Sequence, residues 1–221
     1  MSTPTNAAWS AAILAGGRAQ RLGGRDKAAL QVGASAILER QLAILRTLVD
    51  RILIVTNDQA RHAPDGVSVV CDAIPGAGAL GALYTAITAT GTPRTLVVAC
   101  DLPFLTAPFL SRLMTDGRDV DVVLPHSADG YQPLCAAYSD RASTRLRAKL
   151  EVGVRTVIDA VRQDEELVIR ELGPADLAPY DPHGTLFFNV NTPEDYARAI
   201  ELEAGLRSSS SVGESYRSPT G

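Results

Sequence analysis

The densest potential for chemistry lies in Leu14-Ala15-Gly16-Gly17-Arg18-Ala19-Gln20-Arg21-Leu22-Gly23-Gly24-Arg25-Asp26-Lys27, a stretch with four glycines, three arginines and a lysine. Glycines let the backbone approach a ligand and turn successive N–H groups inward as an anion nest, while guanidinium and ammonium groups neutralise phosphate oxygens. The mixture suits a di- or triphosphate. Lys27 stands out further, because only Lys27 and Lys149 are lysine among 21 basic residues. The stretch is not a Walker A loop: Ala28 follows Lys27 where Ser or Thr is required, and no glycine precedes it at the required place. The structural alternative, a solvated basic loop, is disfavoured by its position after the first strand of an α/β sheet.

Two carboxylates follow apolar runs in the same way. Asp101 ends Val97-Val98-Ala99-Cys100 and precedes Leu102-Pro103, and Asp72 follows Val69-Val70-Cys71. A carboxylate at the carboxyl edge of a central strand can hold Mg²⁺, which prefers one or two carboxylates plus phosphate oxygens to a full protein cage. For both, the structural alternative is a cap or turn residue, and it weighs more heavily on Asp72. Gly76-Ala77-Gly78-Ala79-Leu80-Gly81 is a literal GxGxxG between a strand and a helix, with Asp101 ending the next strand, and taken alone it says NAD. Against that, Asp72-Ala73-Ile74-Pro75 separates the strand from the first glycine, and the Gly/Arg/Lys stretch is left without a task.

The elements that must position these residues are legible as short apolar runs at 11–15, 52–55, 67–71, 96–100 and 120–124, which read as buried strands. Amphipathic stretches lie between them at 35–48, 80–89 and 107–114. The alternation predicts a three-layer, doubly wound (Rossmann-like), mostly parallel sheet with its ligands at the carboxyl ends of the strands. The second half is less regular. Strands are expected at 131–138, 167–171 and 186–190, helices at 139–151 and 154–162, and a last helix from Pro193 to about Ala204 with Thr192 as N-cap. The expected folded unit is one domain over 8–204, with flexible tails at 1–7 and 205–221.

Composition narrows the partners. The 221 residues carry 21 basic and 25 acidic side chains, a net charge of −4, so no large positive field exists to collect nucleic acid or anionic lipid. No apolar run approaches the ~18 residues of a membrane span, and no secretory leader pattern opens the chain, which reads as cytoplasmic. Cys71, Cys100 and Cys135 form no CxxC pair, and His62, His126 and His183 lie near none of them, which argues against zinc. Cys71 and Cys100 each end an apolar stretch and are expected to be small buried hydrophobes.

With those residues in view, Leu14-Ala15-Gly16-Gly17, Arg21-Leu22-Gly23 and Lys27 resemble the LAGGxxxRMGxxK signature of the molybdenum cofactor guanylyltransferases, within the nucleotidyltransferases that also activate sugars. Asp101-Leu102-Pro103-Phe104, Gln132-Pro133-Leu134 and Asn189-Val190-Asn191-Thr192-Pro193-Glu194 look like that family's later motifs in the same order, so the resemblance covers about residues 10–204. Leu22 stands where Met is usual, and 76–81 departs from the usual Gly-Pro-Leu-Ala-Gly run. The resemblance implies transfer of GMP from GTP to the terminal phosphate of molybdenum-bearing molybdopterin, with release of pyrophosphate. It also implies Mg²⁺ as cofactor, and molybdopterin donor and acceptor proteins as partners. In that scheme Leu14, Ala15, Gly16, Gly17, Arg18, Arg21 and Lys27 surround the triphosphate, and Asp101 holds the metal. Asp72 and Asn57 belong to the nucleotide site, and Asn189 and Asn191 face the second substrate. For Asn191 the alternative is an amide holding a turn before the capped helix. Leu-Ala-Gly-Gly, rather than the Leu-Ala-Ala-Gly of the cytidylyltransferase relatives, favours guanine. A cytidylyltransferase or sugar-phosphate nucleotidyltransferase of the same fold remains the nearest alternative. From other classes come an NAD-binding oxidoreductase and a nucleotide-binding regulator without turnover.

Overall fold

The structure, a computed structural model, describes residues 7–15, 21–22, 25–58 and 63–214; for 21–22, 25–26 and 209–214 only the backbone is described. Eight strands form one sheet: β1 (Trp9–Leu14), β2 (Ile52–Thr56), β3 (Val67–Cys71), β4 (Arg94–Ala99), β5 (Val122–Ser127), β6 (Gly130–Tyr131), β7 (Cys135–Ser139) and β8 (Ile169–Leu172). The order is β6-β5-β7-β4-β1-β2-β3, with β8 also paired to β5. β1 runs parallel to β2 and β4, β2 to β3, and β5 to β8. β7 is antiparallel to both of its neighbours, and β6 closes an antiparallel hairpin with β5. The expected mostly parallel, doubly wound sheet is what forms.

Alternation along the strands fills two cores. Ala11, Ile13, Ile54, Leu96, Val98 and Val123 point to one face. There they meet α1 (Ile37–Leu45), α3 (Ala107–Asp116) and α6 (Pro174–Leu177). Ala12, Leu14, Val55, Val97, Val122 and Leu124 point to the other. That face is covered by α2 (Gly78–Thr90), α4 (Asp140–Glu151) and α5 (Val157–Arg162). A period of two gives each central strand one apolar set per face, which is why these runs read as continuous hydrophobic segments. Among the described residues no helix is long and apolar enough to cross a membrane.

Three expectations are corrected. Leu186–Val190 is not a strand. The Asp181 carboxylate accepts the Thr185 and Leu186 N–H groups, Phe188 N–H closes a turn on the Thr185 carbonyl, and Val190 N–H donates to the Asp101 carbonyl. Its apolar side chains are consumed one by one, Phe187 edge-on to Phe109 and Phe188 against Phe104, so no second strand is needed to bury them. The last helix, α7 (Pro193–Glu214), continues ten residues past Ala204. Leu206 joins its packed face and Arg207 pairs with Glu203, so the polar composition after 204 did not end it. Cys71 is exposed, because β3 is an edge strand with a partner on one side only.

Candidate active site

β1 and β4 are adjacent and parallel, so the residues that follow them emerge together at the carboxyl edge of the sheet. Ala15 extends the ladder: its N–H donates to the Val55 carbonyl at 2.8 Å and its carbonyl accepts the Thr56 hydroxyl, while the Leu14 carbonyl accepts the Cys100 N–H. Both side chains are buried. The Ala15 N–H, expected to face phosphate, is therefore spent within the sheet. Gly16, Gly17 and Arg18, expected in the same cradle, lie outside the described residues. Arg21 is in a two-residue hairpin strand paired with 25–26. Lys27 then opens a single 3-10 turn, Lys27–Ala29, and is buried at 3% exposure.

A buried ammonium needs partners. The Lys27 Nζ donates to Asn191 Oδ1 at 2.7 Å, a contact spanning 164 residues of chain. The segment carrying Asn191 is fastened on both sides, since Val190 N–H binds the Asp101 carbonyl and the Asp195 carboxylate accepts the N–H groups of Asn191 and Thr192 at 2.9 and 2.8 Å. Asp195 N–H in turn donates to the Thr192 hydroxyl, completing a reciprocal cap on α7. The two backbone amides hold the Asp195 carboxyl below the usual carboxylate range, and the Lys27 charge adds to the effect. Asn191 thus belongs to a capped turn, and its side-chain oxygen accepts from Lys27.

Asp101 is two residues past the end of β4. Its Oδ1 is buried and, among the described residues, has no hydrogen-bond partner. Burial pushes its carboxyl above the ordinary range; the nearby Lys27 charge and its own backbone amide oppose this without cancelling it. An unpartnered carboxylate oxygen beside an ammonium is costly unless something else is bound there. The donor set, a hard oxygen facing a phosphate-binding stretch, fits a divalent cation.

Two further residues, neither of which stands out in the sequence as a site residue, hold this loop. Gln41 donates its amide N–H groups to the carbonyls of Ala99 at 2.8 Å and Leu102 at 3.0 Å, bracketing Asp101. Arg40 reaches the next carbonyl, Pro103, at 3.1 Å. The available signal was Gln41's place in the i, i+4 series Ile37, Gln41, Leu45: a polar residue on the buried stripe of α1 must find a buried partner. Gln41→Leu strands two carbonyls and is expected to lower stability by about 2 kcal/mol, a Tm decrease of roughly 4–8 °C in a melt of the variant.

The remaining candidates are dispersed. Asn57 is exposed just beyond β2 and Asn189 is exposed beside Val190. Asp72 is buried beyond β3, three strands or about 15 Å from β4 by strand spacing. Its Oδ1 accepts the Ile74 N–H and the Thr85 hydroxyl, both at 3.0 Å, so one oxygen serves the turn into α2. That turn accounts for the GxGxxG pattern: Gly76 and Gly78 adopt φ of 84° and 66°, and a Cβ on Gly81 would stand 2.7 Å from Ala77 Cβ. A separate cavity of about 590 Å³, walled by Arg40, Phe104, Tyr180 and Arg207, contains none of Lys27, Asp101 or Asn191.

A doubly wound sheet presenting an arginine-rich glycine stretch, a buried lysine and an unpartnered carboxylate at one strand edge defines a phosphate-handling α/β enzyme of the nucleotidyltransferase class. The MobA-like NTP transferase domain model matches residues 11–167, and the chain belongs to that family. It is 32% identical over 200 residues to a probable molybdenum cofactor guanylyltransferase of Pelotomaculum thermopropionicum, covering 88% of this chain and 93% of that one. In three dimensions it is similar to molybdopterin-guanine dinucleotide biosynthesis protein A of Archaeoglobus fulgidus, with a TM-score of 0.73, 23% identity, and coverage of 89% and 99% of the two chains. A manganese complex of a Mycobacterium tuberculosis protein shares the fold at a TM-score of 0.63 and 19% identity, over 87% and 98% of the chains.

Proposed function

We propose that this enzyme transfers GMP from GTP to the terminal phosphate of molybdenum-bearing molybdopterin, releasing pyrophosphate. The observation that carries the reading is the contact of buried Lys27 with Asn191 beside the unpartnered Asp101 oxygen, on a chain 32% identical to a probable guanylyltransferase. In the reaction a phosphate oxygen of the pterin substrate forms a bond to the α-phosphorus of GTP, and the bond from that phosphorus to the bridging oxygen of pyrophosphate breaks. Both reactants are anions, so the protein's task is charge neutralisation and alignment, and no covalent nucleophile is required. Lys27 supplies a fixed positive charge whose position is set by Asn191. Arg18 and Arg21 add charge along the same stretch, and Gly16 and Gly17 allow the backbone to approach. Asp101 would hold Mg²⁺, which when bound neutralises phosphate charge and aligns the α-phosphate. Asn57 and Asp72 lie on the nucleotide side, and Asn189 and Asn191 toward the second substrate.

Two measurements test the proposal. Incubation with each of the four NTPs, Mg²⁺ and molybdenum-bearing molybdopterin should release pyrophosphate with GTP and not with CTP; release with CTP alone would assign the other base. The pH profile carries a second expectation. Protonated Asp101 cannot bind a cation, and burial disfavours its ionised form in the metal-free protein, so at limiting Mg²⁺ the acid limb of the rate should lie at higher pH than for an ordinary aspartate and should move to lower pH as Mg²⁺ is raised. An acid limb that does not respond to Mg²⁺ concentration would remove Asp101 from the metal site.

A further inference from the structure

We propose that His126, at the carboxyl end of β5, is the face of a stacking platform that receives the flat fused-ring system of the second substrate; this rests on the reading that the second substrate is a pterin. The His126 and Tyr131 rings stack with centroids 4.3 Å apart and planes 22° from parallel. The Arg162 guanidinium carbon lies 4.4 Å from the Tyr131 centroid. Two groups at such separations cannot share one face of a ring, so Tyr131 is the middle layer and His126 an end layer of the stack. The lower layers are locked. Glu171 accepts the Tyr131 hydroxyl at 3.1 Å through one oxygen and Arg162 Nε at 3.2 Å through the other, tying the hairpin to α5 and β8.

His126 is not tied in the same way. It is half-buried, and among the described residues neither ring nitrogen makes a hydrogen bond. The ring nitrogens are open to solvent and not committed among those residues, so the imidazole is free to meet a ligand. Its position fits as well. Ala137 is opposite Val123 in β5 and Leu96 in β4, so continuing both antiparallel ladders brings His126 level with Ala99. Only β7 lies between, so the two backbones are offset laterally by two strand spacings or about 10 Å, and the His126 side chain stands on the α2–α4–α5 face with Leu124 and Tyr131, so that a ligand reaching it crosses the carboxyl edge of the sheet. That offset is the span of a fused three-ring heterocycle whose phosphate projects from one edge. With its phosphate near Asp101 and Lys27, its rings reach His126.

The test uses pterin-6-carboxylate, whose fluorescence is quenched on stacking, titrated with the full chain and with His126→Ala and His126→Phe; GTP affinity with Mg²⁺ is measured separately by calorimetry. His126→Ala should weaken pterin binding roughly tenfold, His126→Phe should stay within about threefold of the wild type because an aromatic face is kept, and GTP affinity should not change. Unchanged pterin affinity in His126→Ala, or no pterin binding by the wild type, overturns the platform. Selective loss of pterin binding in a protein that fails to bind GTP supports the platform and sinks the nucleotide reading instead. Should His126→Ala not fold, His126→Gln removes the ring while keeping a polar side chain, and the same comparison decides.

Discussion

Asp101→Asn is expected to reduce GMP transfer by roughly 100- to 1000-fold, the usual effect of removing one electrostatic group from a reacting centre, while GTP still binds within a few-fold of wild type. Size and shape are kept, so the loss isolates the charge. The same substitution should leave the Tm equal to or above that of the wild type. Burial raises the Asp101 pKa, which means that the ionised carboxylate is less favourable in the folded chain than in the unfolded one. A neutral isostere removes that cost at neutral pH, as expected where function is maintained against stability. Pyrophosphate release and a thermal melt on the same preparation check both halves. Near wild-type turnover would show that the unpartnered Oδ1 plays no part in the reaction.

Lys27→Ala should lose a similar factor, roughly 100- to 1000-fold in kcat, and Lys27→Arg should recover little of it. The ammonium is buried and its Nζ is 2.7 Å from Asn191 Oδ1, a geometry made for a compact point charge. A planar guanidinium is wider and presents its donors in a fixed fork, so it can meet Asn191 or the phosphates but not both at this spacing. Asn191→Ala should cost less, about tenfold, because it removes the support and leaves the charge. Turnover of folded Lys27→Ala at the wild-type rate would exclude Lys27 from phosphate binding. Equal losses in Lys27→Ala and Asn191→Ala would instead mean that ammonium position matters as much as its presence.

Part of this site could be read locally. Strand-forming runs of Val, Ile and Leu followed at once by Gly16-Gly17 or by Asp101 imply that the chemistry-bearing residues leave a parallel sheet at its carboxyl edge, whatever the strand order. The conspicuous lysine at 27 and the acid at 101 needed no tertiary information. Asp72 shows where such reading becomes ambiguous: a carboxylate after a strand looks the same whether it meets a ligand or caps a turn, and here one of its oxygens caps the turn through Ile74 and Thr85. Ala15 shows the opposite error. Its place in a glycine-rich segment suggested a phosphate contact, yet the β1–β2 ladder continues through it and uses its N–H.

What the amino-acid sequence determined by itself is therefore the layered α/β architecture, the edge at which the candidate site lies, and the charged residues, Lys27 and Asp101, proposed for it. These follow from side-chain periodicity and from turn chemistry, both of which act over a few residues. Only the tertiary structure decided which groups meet: Lys27 with Asn191, Gln41 with the carbonyls on either side of Asp101, Val190 with Asp101 itself, and His126 with Tyr131 and Arg162. The physical reason is that local patterns record whether a residue is buried, whereas the partner that satisfies a buried polar group depends on strand order and on the path of distant loops. Leu186–Val190 illustrates it, an apolar run that packs ring by ring beneath α3 and beside Phe104, and whose backbone joins the Asp101 loop instead of the sheet.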